Sequence, residues 1–460
     1  MSAQGASALR RDQAETSALS GRADLTPDEA DWAQRFRDVS DKLTSLGVRY
    51  DELSRLRSRT SEQQAEYQRL DSDLSAGAQA FQQFLTSLND HFSAKVASSQ
   101  GLSLAELRDA EALQQTLSQL GHGAVAIYTL AGEEKYRAIL VTPTVQRAYE
   151  FPIKAVELNR KIQEFREAVQ DPGIDPRPAA EALFHILIVS ALAEDLQQAN
   201  AETLMWYLDG ALRYVPLAAL YDGKQYLVER YRLSVFTPAS KTRLAEVPVS
   251  DRWKLLGLGV TKSHEDFPAL PNVASELRGI VRDQIDQELL DEKFTPGALR
   301  TELDQGFPLV HLATHFRFRP GNEAQSFLLL GDGSHLSVAE VKTITKLFNG
   351  VDLLTLSACN TGVGDAGGDG SEVEGFGVIA QRKGAKAVVA TLWAVADEST
   401  SMLMRAFYHR LESSPEVPKS EALRQAQLAL LHGEVKPQTQ VMDYKHPYYW
   451  APFFLMGNWL

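Results

Sequence analysis

The sequence predicts an α/β protein in which a mostly parallel sheet carries helices on both faces, preceded by an N-terminal helical arm. Two patterns predict it. From residue 254 onward, short and nearly continuous apolar runs alternate with helix-period segments, the texture of parallel strands buried on both sides. Between residues 32 and 88, apolar residues recur at alternating spacings of three and four, the seam of helices packed along their length. The 460 residues, 44% hydrophobic and 23% charged, have the composition of an ordinary globular chain of two to three domains.

Residues 1–24, rich in Ala, Ser, Gly, Gln and charge, read as a disordered leader. Order is expected to start at Thr26-Pro27-Asp28-Glu29, which offers a capping hydroxyl, a proline at the first helical position and an acid at the third. The seam follows: Trp32, Phe36, Val39, Leu43, Leu46, Tyr50 and Leu53. It pauses at Arg57, Thr60 and Gln64 and resumes in register at Tyr67, Leu70, Leu74, Gly77, Phe81, Phe84 and Leu88. Residues 25–100 therefore form a helical arm. Either it is a coiled coil that binds a regulatory protein or a second copy through residues 32–88, or it is a hairpin packed within its own chain.

The next cap, at Ser103 and Glu106, opens a short helix. Strands over 124–130 and 136–142 flank Ala131-Gly132-Glu133-Glu134 as a hairpin. Helices are expected over 154–169 and 179–199, separated by a Pro-rich loop at 171–178, and strands over 204–207 and 231–236. Then come strands over 254–260, 309–314, 352–358 and 387–393, with helices over 275–283, 337–347, 375–383 and 398–411 between and after them. Residues 101–250 and 251–460 make two α/β regions.

The formal charge of −13 argues against direct contact with nucleic acid, which relies on clustered Lys and Arg, and against attraction to an anionic membrane surface. With one cysteine, no intrachain disulfide can form. Arg10 and Arg11 lead into polar sequence rather than an apolar signal core, and the longest apolar run, Ala182 to Ala193, is too short to span a bilayer. The cytoplasm is the expected compartment. Gly364 to Glu374 is glycine-rich, but it lacks the lysine of a phosphate loop and carries four carboxylates; it reads as a mobile loop. No cofactor and no metal are expected.

Two strand ends hold the chemistry. Leu309-Val310-His311-Leu312-Ala313-Thr314-His315 ends in a histidine, and Leu353-Leu354-Thr355-Leu356-Ser357-Ala358-Cys359 ends in the only cysteine. One helical crossover fits between them, so both side chains can emerge at the carboxyl ends of adjacent parallel strands, where open α/β sheets place their sites. A thiol with a pKa near 8.5 is only a few per cent thiolate at neutral pH, and an imidazole beside it can take its proton and return it to a leaving amine. Backbone N–H groups of the turn at Asn360-Thr361-Gly362 could hold an oxyanion. Against this stands the blander reading of a lone cysteine as a small buried hydrophobe. His311, earlier on the same strand, reads as a packed core residue.

Several segments together carry a family resemblance. His311 to His315, Leu356 to Gly362, Gly384 to Val395 and Ala422 to Gln427 resemble, in order and spacing, the successive signatures of the CHAT family of caspase-like, separase-related cysteine peptidases. Val215 to Leu220 upstream and His446 to Phe453 near the end match as well, so the resemblance spans roughly residues 120–460. It implies that His315 is the base, that Cys359 attacks a peptide carbonyl, and that the backbone N–H groups of Phe316 and Cys359 form the oxyanion hole. Phe316 departs from the glycine many members carry after the histidine. The resemblance further implies that 101–250 is a degenerate caspase-like half and 251–460 the catalytic domain.

Asp397 has two readings. It ends Leu392-Trp393-Ala394-Val395-Ala396-Asp397, which resembles the separase segment whose acid meets a basic P1 side chain; it also precedes a helix that it could cap. Asp365 and Asp369 are further candidates for that S1 pocket. The function expected is specific endoproteolysis of a protein substrate through an acyl-enzyme thioester, under control of a partner. A silent CHAT scaffold that binds partners through its arm and a different thiol–imidazole hydrolase or acyltransferase are the competing expectations.

Overall fold

The computed structural model describes residues 27–460 except 55, 57, 97–103, 122, 247–253, 265, 283–284, 318, 320–321, 358–370, 394, 396, 415 and 436–443. The arm is two long helices, α1 (Pro27–Ser54) and α2 (Ser61–Val96). They run antiparallel. Tyr50 stacks on Tyr67 with ring centroids 4.4 Å apart and their hydroxyls 2.6 Å apart, Arg49 forks onto Glu66, and Leu43 packs with Leu74 and Phe81. The described part of the seam is therefore filled by the chain itself, and the arm is a hairpin. Trp32, Phe36 and Leu88, the outermost seam residues, have side chains outside the described set.

The hairpin leans on the body. Thr44 Oγ1 accepts from the Glu323 backbone N–H at 3.4 Å, and Gly47 backs onto the buried Asn322 so closely that a Cβ would stand 2.5 Å from its Oδ1. A third helix, α3 (Leu104–Leu120), then leads to the antiparallel strands β1 (Ala124–Ala131), β2 (Tyr136–Val141) and β3 (Gln146–Phe151). α4 (Ala155–Gln170), α5 (Arg177–Leu187) and α6 (Ser190–Gln198) follow, then β4 (Thr203–Tyr207), the short α7 (Leu227–Arg230) and β5 (Arg232–Val235).

The later region contributes β6 (Leu255–Gly259), α8 (Val273–Ile280), β7 (Gln287–Leu290), α9 (Pro296–Leu303), β8 (Leu309–Ala313), β9 (Phe316–Arg317), β10 (Phe327–Leu329), β11 (His335–Ser337) and α10 (Val338–Thr343). It ends with β12 (Leu353–Ser357), α11 (Ser371–Arg382), β13 (Ala387–Thr391), α12 (Asp397–Ser413), α13 (Lys419–Leu431) and β14 (Phe453–Gly457). Eleven strands form one sheet in the order β3-β2-β1-β4-β5-β14-β13-β12-β8-β6-β7, and β11-β10-β9 form a small antiparallel sheet beside it. The large sheet is parallel except at its β3-β2-β1 edge and where β14 meets β13. Every residue of β4, β6, β8, β12 and β13 is buried, as expected for strands covered on both faces. This is the mixed α/β, caspase-like architecture, with one apolar core running from Leu113 to Trp459 through both α/β regions.

Some elements differ from the sequence expectation. The helix expected over 179–199 is two, because Ile188 and Val189 leave the helical region (ψ 77° and 152°). Both are β-branched and poor at holding a helix, and the Leu187 carbonyl left at the break accepts from Tyr136 Oη at 3.3 Å. The helix expected over 337–347 is only α10: Ser337 and Glu340 form a capping box, but the chain turns at Ile344 and Lys346 takes φ +55°. Strands β3 and β7 carry no apolar alternation because they are edges; β3 buries only Tyr149 and exposes Arg147 and Glu150, charges that discourage edge-to-edge pairing. β14, the last strand in sequence, closes the seam between β5 and β13, a pairing across more than two hundred residues that no local pattern announces.

Candidate active site

β8 and β12 lie side by side in parallel, with Leu312 paired to Leu356 and Ala313 to Ser357. His315 stands two residues beyond Ala313, and in sequence Cys359 stands two residues beyond Ser357. The strand that ends in the histidine and the strand that leads to the cysteine are thus nearest neighbours, opening at the same carboxyl edge. Cys359 itself, with Asp365 and Asp369, lies outside the described residues.

His315 is held on several sides. Its carbonyl accepts from the Leu329 N–H at 2.9 Å, and the neighbouring Thr314 hydroxyl donates to the Leu329 carbonyl at 2.6 Å, which ties the end of β8 to β10. Its Nε2 is 2.9 Å from the Pro268 carbonyl oxygen. A carbonyl can only accept, so Nε2 carries the proton and Nδ1 is left with the lone pair of a base. Phe267, from the same turn, packs its ring 5.1 Å from the imidazole. Only 4% of His315 is exposed, and burial pulls its pKa below the usual 6.5 against the smaller upward effect of the Pro268 carbonyl. At neutral pH the imidazole is therefore neutral.

Phe316 is buried, its ring 5.3 Å from Phe376 on α11, so the residue after the histidine is locked by packing. β13 runs parallel to β12 on the other side, and beyond its end Leu392 donates its N–H to Pro452 while Trp393 Nε1 donates to the Tyr448 carbonyl. Asp397 is the first residue of α12; the next residue, Glu398, accepts from the Tyr444 hydroxyl at 2.8 Å. The Asp397 side chain is outside the described set. His311 is completely buried, with Nε2 3.0 Å from Glu276 Oε1 and Nδ1 3.2 Å from Tyr408 Oη, and that hydroxyl donates on to Thr355 Oγ1 at 2.7 Å. It belongs to the core beneath the sheet edge, one layer below His315.

A family model described as CHAT domain matches residues 177–458. The chain belongs to the CHAT family. The CHAT chain also superposes on two crystal structures of the Saccharomyces cerevisiae separase–securin complex. One shares 10% identity, with a TM-score of 0.52 over 87% of this chain and 34% of that chain. The other shares 10% identity, with a TM-score of 0.50 over 99% of this chain and 40% of that chain. This CHAT chain thus spans well under half the length of those separases, and at that identity the likeness concerns the fold alone. No curated protein sequence matches it.

The sequence did not mark Phe267 and Pro268, which touch the His315 imidazole, or Arg317, which lies over Phe267. Pro268 contributes a backbone carbonyl, which leaves no trace in residue type. The only local hint was an aromatic residue and a proline shortly after a strand that ends beside the histidine strand.

Proposed function

We propose that this CHAT protein is a cysteine endopeptidase that cleaves a specific protein substrate, with Cys359 as nucleophile and His315 as base. The observation that carries the reading is the bond between His315 Nε2 and the Pro268 carbonyl, because it turns a buried, neutral imidazole into a base with Nδ1 as its accepting atom. In the first half-reaction Nδ1 takes the Cys359 thiol proton and the sulfur attacks the scissile carbonyl carbon. The backbone N–H groups of Phe316 and Cys359 hold the oxyanion. The imidazolium then protonates the leaving amine as the C–N bond breaks, and a thioester remains. Water, deprotonated by Nδ1, attacks the thioester, and the returned proton regenerates the thiol. No cofactor or metal takes part.

Asp397 is the base of the S1 pocket in this reading, with Asp365 and Asp369 beside it, so basic P1 residues are preferred. A regulatory protein controls the enzyme, in keeping with separase having been crystallised with securin. That partner or a second copy engages the arm, residues 32–88, by its outward faces, since Leu43, Leu74 and Phe81 already cover one another. Residues 101–250 serve as the degenerate half and 251–460 as the catalytic one, and the protein works in the cytoplasm without touching nucleic acid or membrane.

The decisive experiment is labelling by a peptidyl electrophile that reports on an activated thiol. Labelling that is abolished by Cys359→Ala and by His315→Ala supports the reading. No labelling by any such probe, together with a partner captured through the arm, favours the scaffold instead. Hydrolysis of small esters without peptides would point to the other thiol hydrolase.

A further inference from the structure

A cation sits beside the histidine on the side away from the cysteine strand. Arg317, two residues after His315, lays its guanidinium over the Phe267 ring at 4.5 Å from the centroid and over Phe327 at 5.4 Å. Phe327 is its partner across the β9–β10 pair, and is itself stacked on His335 with centroids 3.7 Å apart. Phe267 in turn packs against the His315 imidazole. Imidazole, phenyl ring and guanidinium thus form a continuous chain of contacts that starts at His315 and ends at a charge.

Among the described residues the guanidinium is engaged mainly through its faces, by these two rings. Among the described residues its one ionic contact is a long 3.7 Å approach to Asp266, whose side chain is 82% exposed, while the Arg317 side chain is one-third exposed. Such an exposed pair at that distance contributes little, whereas a planar guanidinium fixed on aromatic faces presents paired N–H donors in the fork that matches a carboxylate. A lysine in its place would need no such platform. The direction is also given by the topology. In the sheet order β12-β8-β6, the segment carrying Phe267 follows β6, on the opposite flank of β8 from the strand that leads to Cys359. The imidazole hands its proton to the leaving amine, so groups on that flank face the leaving half of the substrate.

We propose that Arg317, held by Phe267 and Phe327, is a substrate subsite for an aspartate or glutamate side chain on the C-terminal side of the scissile bond. The proposal rests on the peptidase reading and adds a specificity that nothing in the dyad requires. It makes the substrate a protein segment with an acidic residue at a fixed short distance after the cut.

The test is cleavage of a proteome-derived peptide mixture by the full chain, with cut sites read by mass spectrometry, followed by kcat/KM on a Glu peptide and its Gln isostere. The expected result is Asp and Glu enriched at one position after the cut, with the Glu peptide favoured about 3- to 30-fold, the range of a partly exposed charge-assisted pair. Arg317→Met should bring that ratio to about 1 while the Gln peptide is still cut, and Arg317→Glu should turn the preference to Lys. Cleavage without acidic enrichment, or a Glu/Gln ratio unchanged in Arg317→Met, overturns the subsite and leaves the dyad standing. Thiol-probe labelling in the same preparations separates the two failures: no labelling and no cleavage overturns the peptidase reading and the subsite with it.

Discussion

His315 Nε2 lies 2.9 Å from the carbonyl oxygen of Pro268, in a pocket that leaves almost none of the imidazole exposed. A backbone carbonyl thereby does the orienting that a carboxylate does in a three-residue triad, without placing a negative charge against the ring. An anion there would raise the histidine pKa; desolvation beside a neutral dipole lowers it instead.

The acid limb of kcat/KM should therefore titrate below pH 6.5, the ordinary value for histidine, and activity should persist into mildly acidic buffer. Stability should carry the same signature. The folded pKa is depressed, so below about 6.5 the unfolded chain binds the proton first, and the free energy of unfolding falls as pH drops towards the folded value. His315→Gln should remove that slope from urea midpoints measured between neutral and acidic pH. An inflection above 6.5 in the kinetic profile would show that an anion, not a carbonyl, faces the ring during catalysis.

Tyr408 bridges the two strands that matter. Its hydroxyl lies 3.2 Å from His311 on β8 and donates to Thr355 on β12 at 2.7 Å, and those two residues are register partners. Tyr408→Phe keeps the ring and leaves buried polar atoms on both strands unsatisfied. It should cost about 1–3 kcal/mol, read from urea denaturation. A neutral result would mean that water takes the hydroxyl's place.

The arm should unzip from its own seam. Leu43 is 2% exposed against Leu74 and Phe81, and a Leu43→Glu, Leu46→Glu, Leu70→Glu triple variant should remove amide-exchange protection across the hairpin while the sheet keeps its own. Gly47→Val is the subtler test. It leaves the seam intact but sets a side chain against Asn322, so protection should fall only where the arm meets the loop after β9. If instead the triple variant changes the oligomeric mass and leaves exchange untouched, the seam binds another chain.

Asp397→Asn distinguishes a pocket acid from a helix cap. If Asp397 meets a basic P1 side chain, kcat/KM for Arg and Lys peptides should fall roughly 30- to 4,000-fold with neutral P1 peptides little affected. If it only caps α12, the change should cost about 1 kcal/mol of stability and leave the P1 profile alone. A strong Leu or Asp preference at P1 in the unmodified protein would dispose of the pocket.

Local sequence was enough for the parts of this protein whose physics is local. Buried parallel strands must be apolar on both faces, so β6, β8, β12 and β13 could be read directly, and with them the nearness of the His315 strand to the Cys359 strand. The seam of the arm was equally legible, since its spacing is the packing. The sequence could not say whether that seam turned inward or outward, because a self-filled hairpin and a partner-seeking coiled coil have the same period; the pairing of Tyr50 with Tyr67 decided it. Edge strands β3 and β7 were silent for the opposite reason, having one face or neither to bury. The surroundings of His315 were decided only in three dimensions. Pro268 acts through a carbonyl that every residue possesses, and Arg317 acquires its meaning from rings that arrive from after β6 and from β10. Long-range contact, not residue type, sets that histidine against a carbonyl and that arginine on two aromatic faces.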